Sequence, residues 1–187
     1  MKRNSLFLVE VVGFLLLLVS IGVYFLTKEK SSPQVMVVTF AECVAAGNSV
    51  MESYPRQCAS KDGQHFTEDL GNTVEKENLI RLASPRPNDV VESPLKLTGE
   101  ARGNWYFEAS FPVYLTDWDG KIIAQGIATA QSEWMTTEFV PFEATLTFNT
   151  AEISGQYSKR GTLILRKDNP SGLPEHDDAL EIPVQLK

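Results

Sequence analysis

"FVPFEATLTF", residues 139–148, alternates apolar and polar side chains along most of its length. The apolar side chains at every second position are Val140, Phe142, Ala144, Leu146 and Phe148, and Glu143, Thr145 and Thr147 lie between them. Successive side chains of a strand point to opposite faces of a sheet, so this period of two predicts a strand with one buried face. A half-buried strand of this kind is typical of antiparallel sheets.

The same period recurs on both sides of this stretch. "WYFEASFPVYL" (105–115) predicts a strand that turns Tyr106 outward and carries on its inward face Trp105, Phe107, Ala109, Phe111, Val113 and Leu115. "ALEIPVQLK" (179–187) predicts another, with these inward residues: Leu180, Ile182, Val184 and Leu186. Four more runs complete the set: "LIRLASP" (79–85), "SPLKLTGEA" (93–101), "KIIAQGIATA" (121–130) and "GTLILRK" (161–167).

These runs make about seven short strands, and turn signals such as "DWDG" and "DNPSG" separate them. No helical period of useful length interrupts them. The predicted fold class is therefore all-β, an immunoglobulin-like two-sheet antiparallel sandwich over residues 79–187.

The N-terminus carries a long apolar run. From Leu6 to Leu26, 21 residues include one charged residue, Glu10, and the basic pair Lys2 and Arg3 precedes them. About 20 apolar residues span a bilayer core, and a short basic N-terminus stays cytoplasmic. We expect a cytoplasmic stub and one transmembrane anchor in residues 1–27. The alternative is a cleaved signal peptide, whose apolar region is usually shorter, about 7–15 residues.

The remaining chain divides into four parts by composition. Residues 28–39 are expected to be a polar tether, residues 40–70 a small two-cysteine segment, residues 71–78 a polar linker and residues 79–187 the sandwich. This arrangement predicts a single-pass protein of the cell membrane whose C-terminal domain is extracytoplasmic.

Cys43 and Cys58 are the two cysteines of the chain. Outside the membrane two such cysteines are expected to oxidise to a disulfide, and closing a loop of about 15 residues is worth about 3 kcal/mol. Two alternatives use His65. A catalytic pair with Cys58 needs a free thiolate, and a zinc site with both cysteines lacks a fourth ligand. The disulfide is the favoured interpretation.

The chain is acidic, with 17 Lys and Arg against 24 Asp and Glu and a formal charge of −7. The first 30 residues hold four cations and two anions, which leaves 13 against 22 in the rest. Nucleic-acid binders present clustered Lys and Arg, so we expect no nucleic-acid partner.

Several blocks of the sandwich region resemble the immunoglobulin-like domain of bacterial spore germination (the Gmad family). They are "SPRPNDVVESPLKLTGEAR", "NWYFEASFPV", "DWDGKIIAQG", "WMTTEFVPFEATLTF" and "GTLILRKDNPSGLPEHDDALEIPV", in order over residues 77–187. The resemblance implies a sandwich displayed outside the cytoplasmic membrane and used for binding. It supplies no catalytic residues, so we expect no enzyme activity and no cofactor.

Two acidic residues of "TDWDG", Asp117 and Asp119, are weak candidates for a calcium site, because calcium takes several carboxylate and carbonyl oxygens. Further acids stand in "RKDNPSGLPEHDD", at Asp168, Asp177 and Asp178. The favoured interpretation is a hairpin turn in which Gly120 takes the positive φ angle.

Four residues are candidates for a binding surface. Trp118 lies in the predicted hairpin turn and Trp134 next to Glu133, whereas Tyr54 and Arg56 lie in "SVMESYPR" between the cysteines.

These features predict a non-enzymatic binding or adhesion module of the bacterial cell envelope, connected with germination or the cell wall. Its expected partners are the cytoplasmic membrane, through residues 6–26, and an envelope protein or cell-wall glycan. The alternative is a modulator or inhibitor of an envelope hydrolase that acts through residues 40–70. There "QCASKDGQHFTED" is similar to the Kazal inhibitor motif, although that family relies on six cysteines and this chain has two.

Overall fold

The computed structural model describes residues 37–153 and 158–187. The predicted anchor at residues 6–26 lies outside these ranges. Within them, no helix has the length and apolar character needed to cross a membrane.

Residues 40–70, which we call the cysteine module, form one short helix and three short strands. Helix α1 (Phe40–Ala45) is followed by β1 (Ser49–Met51), β2 (Gln57–Ala59) and β3 (His65–Thr67). The strands pair antiparallel in chain order. Helix α1 begins with a capping box, in which the side chains of Thr39 and Glu42 each accept a hydrogen bond from the other's backbone N–H.

The predicted disulfide between Cys43 and Cys58 is confirmed. The bond joins α1 to the central strand β2, and both cysteines are fully buried. Val50 and Phe66 pair with Cys58 from the two neighbouring strands, so their side chains lie on the same face as the disulfide. The bond therefore fixes the helix over one face of a very small sheet.

The sandwich contains the seven predicted strands and one additional pair of residues. The strands are β4 (Ile80–Ser84), β5 (Val90–Val91), β6 (Leu95–Arg102), β7 (Ser110–Asp117), β8 (Ile122–Ala130), β9 (Phe139–Leu146), β10 (Arg160–Arg166) and β11 (Ala179–Leu186). The eight strands form one hydrogen-bonded sheet in the order β4-β6-β9-β8-β7-β10-β11-β5, in which β8 pairs with β9 only through its last two residues, Thr129 and Ala130. We call the two parts on either side of this junction, β4-β6-β9 and β8-β7-β10-β11-β5, the two sheets of the sandwich. All pairs are antiparallel except β11 with β5. The all-β, sandwich-like class is confirmed.

The core lies between these two sheets, where the period of two predicted it. The buried side chains include all those predicted inward in residues 139–148 and 179–187: Val140, Phe142, Ala144, Leu146, Phe148, Leu180, Ile182, Val184 and Leu186. Phe111 contacts Phe142 edge-on with ring centroids 5.0 Å apart, so the two sheets meet through an aromatic pair. Burying each large side chain of this kind contributes about 1.5–3 kcal/mol.

The strand prediction was wrong for residues 105–109, although Trp105 is buried as predicted. A turn of 3₁₀-helix covers Gly103–Trp105, and a tight turn follows in which Glu108 and Ala109 have φ angles of 48° and 61°. Phe107, predicted inward, is 41% exposed, and Tyr106, predicted outward, is buried. The Tyr106 hydroxyl donates to the Val140 carbonyl at 2.7 Å, and burial raises the pKa of this hydroxyl. Strand β7 therefore begins only at Ser110.

Residues 71–78, predicted as a linker, pack on the sandwich through helix α2 (Thr73–Lys76) and Asn72. The Asn72 side chain accepts from Glu181 N at 2.8 Å and donates to Ala179 O at 2.9 Å, so it continues the hydrogen bonding of β11. Lys76 forms an ion pair of 2.5 Å with Asp178. The cysteine module is thereby joined to the sandwich without a free spacer.

Candidate functional site

A surface groove of about 430 Å³ lies where the cysteine module meets the sandwich. Its floor is the outer face of β10 and β11, one wall is the β7–β8 turn, and the other is the segment that leaves the module at residues 69–71. We call it the Trp118 groove and define it by these residues: Asp69, Trp118, Arg160, Thr162, Glu181 and Pro183.

Trp118 lies in a hairpin turn that the Asp117 side chain holds together. The Asp117 carboxylate oxygen Oδ1 accepts hydrogen bonds from the backbone N–H groups of Asp119 and Lys121, both at 3.0 Å. Gly120 takes a φ of 81°, which confirms the predicted turn. The Trp118 side chain is 43% exposed at the mouth of the groove. The turn therefore places the indole ring at the mouth of the groove.

The geometry at Asp117 and Asp119 provides few oxygen atoms that could coordinate a calcium ion. Asp117 is 2% exposed, and its Oδ1 is occupied by the turn itself. Asp177 pairs with Arg166 and Asp178 with Lys76. Across residues 37–153 and 158–187, no group of three or more His, Cys, Asp or Glu is arranged to hold a metal ion.

Asp117→Ala is expected to lower the free energy of unfolding by about 1–2 kcal/mol, because two backbone N–H groups lose their acceptor. Urea denaturation monitored by tryptophan fluorescence measures this change. Asp119→Ala is the matched control and should change little, since Asp119 is exposed. Equal losses in the two variants, or a loss that appears only when calcium is present, would contradict the turn role.

The polar groups of the groove carry an excess of negative charge. Asp69 accepts from Gly71 N at 3.0 Å and lies 3.7 Å from the guanidinium of Arg160. The Glu181 side chain is exposed on the outer face of β11. The lining therefore holds two exposed carboxylates and one guanidinium, in addition to the carboxylate held in the turn.

The other candidate residues lie outside the groove. Trp134 is partly buried and packs against the sandwich core. Tyr54 is 67% exposed on the loop between β1 and β2. Arg56, on the same loop, donates to both carboxylate oxygens of Glu68 and lies over the Phe40 ring at 5.4 Å. Arg56 thus has a structural role within the module.

The stability of the cysteine module is expected to decrease in acid because of Glu68. Hydrogen bonding from Arg56 holds the pKa of this carboxyl below its ordinary value. Because the pKa of Glu68 is lower in the folded state than in the unfolded state, ionised Glu68 stabilises the fold at pH values above its unfolded-state pKa, about 4.3. This stabilisation is lost as the pH falls through the folded-state pKa. Urea titrations followed by the NMR signals of β2 and β3 between about pH 6 and about pH 3 measure this loss. A Glu68→Gln variant should show a flatter profile, and an identical profile would contradict the assignment.

Sequence reasoning found Trp118 but missed Asp69, Arg160 and Glu181. Asp69 lies in the loop after β3, Arg160 on β10 and Glu181 on β11, and each one is an ordinary outward-facing charge in its own segment. No local pattern indicated that they share a groove.

The protein is thus a sandwich of the immunoglobulin-like class, and it carries an aromatic, charged groove where the sandwich meets a disulfide-bonded module. The family model described as "immunoglobulin-like domain of bacterial spore germination" matches residues 79–171. The predicted resemblance to that family, which is not a known catalytic family, is therefore confirmed over residues 79–171. The match ends before β11, and the cysteine module lies outside it. No curated protein and no solved structure matches the chain.

Proposed function

We propose that this protein is a non-enzymatic binding module of the bacterial cell envelope that acts in germination or at the cell wall. The observation that carries the proposal is the Trp118 groove. It combines an exposed indole with charged and hydroxyl side chains on a family scaffold that is not known to be catalytic. Groups of this kind are typical of recognition sites.

The proposal places the groove outside the cytoplasmic membrane. The apolar run at residues 6–26 serves as a single-pass anchor, and the disulfide suits an oxidising compartment. The partners are cell-wall glycan or another envelope protein.

Binding is tested with the full chain in a mild detergent, immobilised and exposed to purified cell-wall sacculi and to envelope extracts. Specific retention of either material supports the proposal. A chain that retains neither, although its unfolding transition shows it to be folded, contradicts it. Protease treatment of intact cells tests the location, because an extracytoplasmic sandwich is degraded while cytoplasmic proteins survive.

A second function is favoured by one feature of the cysteine module. The loop between β1 and β2 projects the exposed Tyr54, and the bond of Arg56 to Glu68 ties the end of that loop to the module. A loop held in this way is suited to block an envelope hydrolase. Deleting residues 40–70 should then abolish inhibition of the hydrolase, and undiminished inhibition would exclude this role.

A further inference from the structure

We propose that the Trp118 groove binds a hexosamine oligosaccharide, neutral or N-deacetylated, with one sugar ring stacked on the indole of Trp118. This inference rests on the proposed function and names the ligand class of its site.

The size and shape of the groove fit such a ligand. Its volume of about 430 Å³ lies within the range of small-molecule sites, about 300–1,000 Å³. The groove is open along one side, since its floor is the outer surface of a sheet rather than the interior of the sandwich. An open groove can accommodate one unit of a chain that continues beyond it at both ends.

The side chains match the two kinds of surface on a sugar ring. A pyranose has a face of C–H groups and a rim of hydroxyl and amino substituents. The face packs on an aromatic ring, as the exposed Trp118 offers, and the rim needs donors and acceptors. Asp69 and Glu181 supply acceptors, and Arg160 supplies a planar set of donors.

The charge of the groove selects among glycans. Asp69 and Glu181 exceed Arg160 by one negative charge, before the turn carboxylate of Asp117 is counted. A phosphate-bearing polymer would be repelled at short range, whereas an amino group would be attracted by the carboxylates and by the indole face. The groove therefore favours an uncharged or amine-bearing sugar.

The wall opposite Trp118 is held rigidly, so little ordering accompanies binding. Gly71 has a φ of 62°, and a Cβ at this position would lie 1.9 Å from the Glu181 carbonyl oxygen. Only glycine, which has no Cβ, fits at position 71 so close to β11. The Asn88 side chain donates to the Asp69 carbonyl at 2.7 Å, which fixes the same segment from the sandwich side.

Calorimetric titration of the full chain in detergent with the tetramers of N-acetylglucosamine and of glucosamine tests the proposal. At least one tetramer should bind, and Trp118→Ala should weaken that binding by about tenfold or more. Phe107→Ala is the matched control, because Phe107 is 41% exposed and lies outside the groove, and it should leave the affinity unchanged. Glu181→Gln, which alters only an exposed charge, should weaken the glucosamine tetramer more than the acetylated one.

Four results would overturn the assignment: no binding of either tetramer, equal affinity in Trp118→Ala, binding of poly(glycerol phosphate) at the groove, or binding of tetralysine in place of the sugars. NMR shift changes at Gly71, Gly161 and Thr162 on addition of a tetramer provide a readout that needs no variant. Sacculi that are still retained by Trp118→Ala would overturn the groove assignment alone and leave the proposed function standing.

Discussion

Replacing Phe142 with alanine is expected to lower the free energy of unfolding of the sandwich by about 3–5 kcal/mol. Phe142 is 1% exposed on β9, and its ring contacts Phe111 on β7, which belongs to the opposite sheet. Removing the ring forfeits its burial and leaves a cavity between the two sheets. A packed core of this kind closes such a cavity only in part, so both costs remain.

Urea denaturation of residues 39–187, which form one compact unit, measures the effect of Phe142→Ala. Glu143→Ala is the matched control on the same strand, because its side chain points to solvent, and it should change stability by less than about 0.5 kcal/mol. A cost below about 1 kcal/mol for Phe142→Ala would contradict the central position of this ring.

Gly99, opposite Phe142, is a glycine in the interior of a strand, and strand propensity alone does not explain its presence there. Gly99 pairs with Phe142 across β6 and β9, and a Cβ at Gly99 would lie 2.6 Å from the phenyl ring and 2.3 Å from the Arg81 carbonyl oxygen. Glycine weakens the interior of a strand, but here it makes room for the ring and for β4. The aromatic pair in the core therefore depends on a residue with no side chain.

Strands β9 and β11 were predictable because each buries one face and leaves the other partly or fully exposed along its length. Their alternation identifies both the strand and its inward residues. Residues 105–109 show the same alternation but do not form a strand, since the chain turns at Glu108 and Ala109. Neither Glu108 nor Ala109 is a glycine, and the alternation of apolar residues does not reveal a positive φ angle, so the sequence did not indicate this turn.

The Trp118 groove was only partly predictable for a different reason. Turn chemistry placed Trp118 at an exposed hairpin, and this was sufficient to select it. The opposite wall depends on residues 69–72 packing along β11, which is set by the Asn72 side chain more than 100 positions before its partners Ala179 and Glu181. The local sequence of this polar Gly-Asn segment indicates a linker. Only its hydrogen bonds to β11 show that it connects the cysteine module firmly to the sandwich.

The cysteine module has too little apolar surface to be stable by packing alone, and this makes its disulfide decisive. Within the module, residues 40–70, the described structure buries only Cys43, Cys58 and Leu70. A sandwich with large buried side chains on both sheets has no such dependence. Small segments of this size usually require a covalent or metal cross-link, and removing a native disulfide costs about 2–5 kcal/mol.

The double substitution of Cys43 and Cys58 by serine is therefore expected to unfold the cysteine module while the sandwich stays folded. Hydrogen exchange should show lost protection at the amides of β1, β2 and β3 and retained protection in β9 and β10. Chemical reduction of the native protein should give the same pattern, and reoxidation should restore it, which separates the loss of the bond from the effect of the serines. Retained protection in β2 after complete reduction would show that packing alone holds the module. A loss of protection that spread to β9 would show that the module and the sandwich unfold as one unit. The hydrogen bonds of Asn72 to β11 are the contacts that would couple the two in that case.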